Sequence, residues 1–165
     1  MEFFNVVNEK DEIIGRASRK ECHSSPKLLH RCVFVIITNN AGELLLSKRS
    51  MKKDTNPGKW ELMAEHNKPG ESYQDAAARG LKEELGISAK TRMLSKKIIS
   101  DSNETEIDAI FSCVIDDAQK ISFDKNEISE VRFMPVAKIK EELKMHPEAF
   151  TDWFLEVFQE YLKHK

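Results

Sequence analysis

Glu83 and Glu84 are adjacent carboxylates, and Arg79 stands four residues before the first of them. On a helix that spacing lets the guanidinium hold Glu83. Glu84 lies about 100° further round the axis, at the edge of a stripe made by Tyr73, Ala76, Ala77, Gly80, Leu81 and Leu85. The stripe keeps helical spacing, so it packs inward and half-buries Glu84. A braced carboxylate beside a half-buried one is costly unless a cation neutralises the pair. A hard divalent ion such as Mg²⁺ is the natural partner. The helix that must position them is signalled at both ends. Ser72 with Asp75 resembles a capping box, with Asp where Glu or Gln is usual. Gly86 suits the left-handed residue that ends a helix. Ahead of it, Pro69-Gly70-Glu71 reads as a phosphate-side loop.

Glu71, Arg79, Leu81, Glu83, Glu84, Gly86 and Ile87 fall in register with the box G-x5-E-x7-R-E-U-x-E-E-x-G-U, where U is aliphatic. At these residues the chain resembles the Nudix superfamily. Two positions depart from the box: Glu65 stands where it begins with Gly, and Gly80 stands where a Glu follows the Arg. The resemblance implies an α/β (α+β) fold, the Nudix-type α/β/α sandwich with a mixed central sheet. It also implies a metal-dependent hydrolase cleaving a diphosphate linkage in a small nucleoside diphosphate-like substrate. Glu83 and Glu84 would hold Mg²⁺ (or Mn²⁺) and Arg79 would orient them. In such enzymes the metal bridges the diphosphate and lowers the pKa of the attacking water.

Three histidines and a second carboxylate pair narrow the resemblance. His23 follows Arg19 by four residues, His30 precedes an apolar run, and His66 lies five residues before Glu71. Glu104 and Glu106 open a strand, where alternation puts both side chains on one face. With the N-terminal stretch from Val6 to Arg19, this set is similar to that of type I isopentenyl diphosphate isomerases and their hydrolase-like relatives. The similarity runs from residue 2 to about residue 135. In the isomerases the matching residues hold a divalent metal, so His23, His30, His66, Glu104 and Glu106 would be ligands here. Three imidazoles with two carboxylates suit Zn²⁺ or Mn²⁺ better than Mg²⁺.

The same comparison weighs against isomerisation. Moving a proton across an allylic carbon needs an acid on one face and a base on the other. Glu106 can serve as one, but Met63-Ala64-Glu65-His66 has no thiol where the isomerases carry one. None of Cys22, Cys32 and Cys113 lies nearby in sequence, and the aromatic after the late acidic stretch is Phe133 rather than Trp. Hydrolysis has a gap of its own. Gly80 removes one box carboxylate and puts Gly inside a helix at a cost of about 1 kcal/mol relative to Ala, which fits close approach by another backbone or a ligand and equally fits simple drift. Glu104 or Glu106 remains as base or extra ligand. Three readings stay open: the hydrolase, which is favoured, an isopentenyl-diphosphate delta-isomerase, and a catalytically weakened Nudix ligand-binding domain.

The loop from Lys48 to Asp54 is basic, and Arg49 and Lys53 match the spacing of a diphosphate clamp in the isomerase-like pattern. Arg can grip phosphate oxygens through two donors while Lys acts as a compact charge. A solvated loop is the plain alternative. Trp60 is expected to pack under the sheet rather than stack on a base.

The remaining elements are those of a sheet flanked by helices. Residues 2–7 and 12–16 read as short strands about a polar turn, and 17–22 as a helical turn. Leu29 to Thr38 is β-branched enough for a central strand, with a hairpin turn at Asn39 to Gly42. Trp60 to Ala64 reads as one short strand, followed by strands at 92–99, 106–115 and 131–134. Pro135 to Lys144 reads as a helix opened by Pro. From about Pro147 a last helix presents Phe150, Trp153, Phe154, Val157, Phe158, Tyr161 and Leu162 as a core face.

Length and composition fit one domain, 1–165, with a substantial core: 165 residues, 40% hydrophobic and 33% charged. A net charge of −2 gives no footprint for nucleic acid or an anionic membrane. Three cysteines without C-x-x-C spacing fit reduced thiols in the cytoplasm. Neither a secretory signal nor a membrane span is expected, and no apolar element declares an oligomeric state.

Overall fold

In the computed structural model, which describes residues 1–165, strand β3 (His30–Thr38) is buried on both faces. Val33, Val35 and Ile37 point into one core and Cys32, Phe34 and Ile36 into another. Alternation divides the strand between two layers, which is why its sequence reads as a nearly unbroken apolar run. Helix α2 (Tyr73–Leu85) closes the first core with Ala76, Ala77, Leu81 and Leu85. Helices α3 (Val136–Met145) and α4 (Phe154–Lys163) close the second with Ile139, Phe154, Val157 and Phe158. The result is the expected α/β/α sandwich.

The sheet is mixed. Strand β8 (Thr105–Val114) runs parallel to β3 from His30↔Glu106 to Thr38↔Val114, and β7 (Arg92–Ser100) runs antiparallel to β8. A second arm comprises β4 (Leu44–Arg49), β5 (Trp60–Glu61) and β9 (Ile128–Met134). The two arms join only at Thr38↔Leu44, beyond the Asn39–Gly42 turn, and then diverge. The single strand expected at residues 60–64 is therefore two. β5 pairs with β4, the chain crosses at buried Leu62, and β6 (Met63–His66) pairs with β3. That crossing brings the ends of β3, β6 and β8 to one edge, with His30, His66 and Glu106 on them.

Helix α2 has both expected ends. Ser72 Oγ accepts from the Asp75 amide, the Asp75 side chain accepts from the Ser72 amide, and Gly86 takes φ 67°. Other boundaries shift: the second strand runs on to Ser18, so the helical turn expected from Ala17 begins at Arg19. β9 starts at Ile128, and Pro135 caps α3 from outside. The last helix begins at Phe154, because the Thr151 amide donates to Trp60 O at 3.0 Å and holds the preceding residues against β5. No helix is long and apolar enough to cross a membrane.

Strands β1 (Phe3–Val7) and β2 (Ile13–Ser18) form a separate hairpin, followed by the one-turn helix α1 (Arg19–Cys22). Asp11 fastens the hairpin to the sandwich. Its carboxylate accepts from Arg31 Nε at 2.6 Å, from the Tyr73 hydroxyl at 3.0 Å and from Lys96 Nζ at 2.8 Å. Burial alone would raise the Asp11 carboxyl, but Lys96, Arg31 and Tyr73 outweigh it and hold the pKa below the ordinary value. A depressed folded-state pKa adds stability above the unfolded pKa and loses it as pH falls through the folded one. Asp11→Ala is expected to cost about 2 kcal/mol at neutral pH. The deficit should shrink on acidification, as urea unfolding at neutral and acid pH would show.

Candidate metal and diphosphate site

His30 begins β3 and is wholly buried. Its Nδ1 lies 3.0 Å from Leu28 O. A carbonyl only accepts, so Nδ1 carries a proton and the neutral ring bears its lone pair on Nε2. Nε2 faces Glu106 Oε1 at 3.1 Å without the alignment of a hydrogen bond. Lone pairs facing each other in a buried place require a cation between them, either a proton or a metal ion. Burial draws the His30 pKa down, yet Glu106 and the Leu28 carbonyl more than offset it and the net shift is upward. Burial likewise raises Glu106, but His30 and His66 hold it below the carboxylate range.

The other members of the set converge on the same point. His66 ends β6, with Nε2 2.8 Å from Glu106 Oε1. His23 follows α1, with Nδ1 3.0 Å from Glu104 Oε2. His23 Nε2 and Glu104 Oε2 are buried without a hydrogen-bond partner. Donor atoms of His23, His30 and His66 lie within 4.8 Å of one another, as do those of His30, Glu104 and Glu106. A small contraction would bring such sets to metal–ligand distances of about 2 Å. Phe4 of β1 stacks on His66 at 4.6 Å and on His30 at 5.3 Å. The N-terminal hairpin thus supplies one wall of the cluster.

A second group of carboxylates approaches from α2. Arg79 makes paired contacts to Glu71 at 2.7 and 3.0 Å and donates to His66 O at 2.8 Å. Its Nη1 also reaches Glu83 at 3.1 Å and Glu65 at 3.2 Å. One guanidinium thereby locks the box helix to the strand end that bears His66. Glu84 has no hydrogen-bond or ion-pair partner, although it is half-buried. Burial, with Glu65 next in effect, raises its pKa. An unpartnered, half-buried carboxylate is a fitting ligand for a hard divalent ion. Glu83, by contrast, is 51% exposed, pairs with Arg79 and Lys68, and does not line the cavity.

Both groups open on one cavity of about 710 Å³. His23, His66, Glu84, Glu104 and Glu106 line it, and Arg49 and Lys53 stand on its wall. Arg49 is already held by Glu61 at 2.8 Å, and Lys53 by Glu127. Ten lining residues are carboxylates and four are Lys or Arg, so the wall carries an excess of acidic side chains that favours cations.

A family model described as the NUDIX domain matches residues 28–154. The chain belongs to the Nudix family. This Nudix chain is 34% identical to the isopentenyl-diphosphate delta-isomerase of Pectobacterium atrosepticum over 155 residues, covering 90% of the chain and 85% of that protein. It is 35% identical to an uncharacterized Nudix hydrolase of Pseudomonas aeruginosa over 143 residues, covering 86% and 83%. Among solved structures it is similar to DR0079 of Deinococcus radiodurans, with a TM-score of 0.80 and 22% identity over 97% of this chain and 99% of that one. A MutT protein of Methanosarcina mazei Go1 gives a TM-score of 0.69 at 25% identity, covering 82% and 94%.

Four residues take places that the sequence did not assign them. Cys32, distant from His66 in sequence, lies beside it across the β3–β6 pairing, with Sγ within 4.8 Å of His66 and Glu106 donor atoms. Its parity with His30 on one strand was the available signal. Trp153, read as part of a core face, also lines the cavity, with the Arg49 guanidinium 6.0 Å from its ring. Phe133, compared above with the isomerase Trp, packs instead against the α2-side core. Asp108 follows Glu106 on the same face of β8 and is buried, and burial, then Glu106, pushes its carboxyl pKa well up. Trp60 packs against the α4-side core as expected.

Proposed function

We propose that this Nudix protein is a divalent-metal-dependent hydrolase that cleaves the diphosphate linkage of a small nucleoside diphosphate-like substrate. The observation that carries this reading is the cavity lining, where unpartnered Glu84, the histidine–glutamate cluster and the Arg49–Lys53 pair meet. Mg²⁺ or Mn²⁺, when bound, neutralises phosphoryl oxygens and polarises the attacking water. Glu84 holds the ion at the helix, Arg79 fixes that helix to β6, and Glu83 braces Arg79. His23, His30, His66 and Glu106 form the second ion-holding set, the better match to Mn²⁺ or Zn²⁺. Glu106 is engaged by two imidazoles, whereas Glu104 meets His23 through Oε2, so the other Glu104 oxygen is the one left to accept the water's proton. Arg49 and Lys53 turn to the diphosphate as it displaces Glu61 and Glu127.

The second reading, allylic diphosphate isomerisation, is favoured by Trp153 on the cavity wall and by the name of the Pectobacterium relative. An aromatic face there could stabilise a carbocation. Against it, residue 64 offers only a methyl group, and Cys32 stands on the same side as Glu106. A proton cannot be added to one face and taken from the other by two groups on one side.

A panel of nucleoside diphosphates and sugar conjugates assayed with Mg²⁺ or Mn²⁺ tests the proposal. Phosphate or nucleotide release that stops on chelation is the expected outcome. Folded protein that releases nothing from any substrate would leave a binding domain. Uptake of solvent deuterium into isopentenyl diphosphate would transfer the assignment to isomerisation.

A further inference from the structure

The two departures from the Nudix box touch each other. A Cβ placed on Gly80 would lie 3.0 Å from Glu65 Cβ, 3.3 Å from Glu65 Cγ and 3.0 Å from Met63 Cε. A side chain at position 80 would therefore crowd Glu65 and Met63 of β6, which would have to give way by a few tenths of an ångström. Gly80 sits inside α2 and is not among the positive-φ glycines. The backbone there does not call for glycine, so the preference comes from the contact with β6, where Glu65 and Met63 leave little room for a side chain. The exchange is reciprocal: the position that opens the box gains a carboxylate, and the helix position that usually bears one is emptied to admit it.

Glu65 crosses the vacated space to the cavity wall it shares with Glu84. Its Oε2 lies 3.2 Å from Arg79 Nη1, and its Oε1 accepts from the His66 amide at 2.9 Å. Strand and helix thus both present a carboxylate to the same cavity.

We propose that Glu65, reaching from β6, takes over the ion-holding role that position 80 of the helix gives up, so that Glu65 and Glu84 together hold the divalent cation. This rests on the hydrolase reading, in which an ion binds at the end of α2. A binding experiment on the full chain separates the two. Mn²⁺ is titrated into isotope-labelled protein, and paramagnetic broadening of the Leu85 and Gly86 amide resonances reports the ion at the helix.

Glu65→Gln keeps the acceptor for the His66 amide but gives up the Arg79 ion pair; it should weaken Mn²⁺ binding at least tenfold, with the metal-free unfolding temperature lowered by only a few degrees. Gly80→Glu alone should lower that temperature by crowding Glu65 and Met63. The double variant Glu65→Gly/Gly80→Glu should restore both the temperature and Mn²⁺ affinity to within about threefold of the parent. Parent-like Mn²⁺ affinity in Glu65→Gln, or a double variant no better than Glu65→Gly, overturns the inference while leaving the helix-bound ion intact. No broadening in the parent chain removes the ion and the inference together.

Discussion

Glu84→Gln is expected to lower metal-dependent turnover about a thousandfold or more, because several kcal/mol of charge stabilisation in the transition state goes with the ligand. Its effect on stability should have the opposite sign. Burial, assisted by Glu65, raises the Glu84 pKa in the folded chain. A carboxyl raised in this way opposes folding once it ionises. The penalty grows as pH rises above the unfolded pKa and levels off above the folded one. Glutamine carries no such penalty, so the metal-free variant should unfold at the same temperature as the parent or higher at neutral pH. Steady-state kinetics and calorimetric scans on one preparation check both halves. Turnover within threefold of the parent would remove Glu84 from the ion-holding set.

His30→Ala should have the next largest effect, at the histidine cluster. The ring is wholly buried, stacks on Phe4 and contacts the Leu28 carbonyl and Glu106. Removing it leaves a cavity and an unpaired acceptor, at a cost of about 3 kcal/mol. Zn²⁺ or Mn²⁺ affinity at the cluster should fall by about a hundredfold or more, since outer contacts of such ligands alone are worth 10- to 100-fold. Urea unfolding and a Zn²⁺ titration followed by calorimetry give the two values separately. Lost stability with undiminished affinity would make His30 a packing residue.

Local signals in the sequence carried much of this arrangement. The box helix could be placed from Ser72, Asp75 and Gly86 because capping is decided within a few residues. The central strand was readable because β-branched residues fill both faces of residues 30–38. His23, His30, His66, Glu104 and Glu106 were found as a set through resemblance, and the fold brings their side chains together. What could not be read were relations across elements. Glu65 and Gly80 are fifteen positions apart in numbering, and each alone looks like damage to a motif; only the β6–α2 packing shows that one makes room for the other. Cys32 reaches His66 through strand pairing. Trp153 turns to the cavity because the chain bridges to β5 before α4 begins. The division of residues 60–66 between two strands depends on the divergence of the sheet's arms, which neighbouring residues do not encode.

The most direct measurement is anomalous scattering from crystals soaked in Mn²⁺ with a non-hydrolysable nucleoside diphosphate. A peak within ligand distance of Glu65 and Glu84, a second among His23, His30, His66 and Glu106, and diphosphate oxygens beside Arg49 and Lys53 are the predicted result. Ordered diphosphate in the cavity with no anomalous peak at either group would contradict the account.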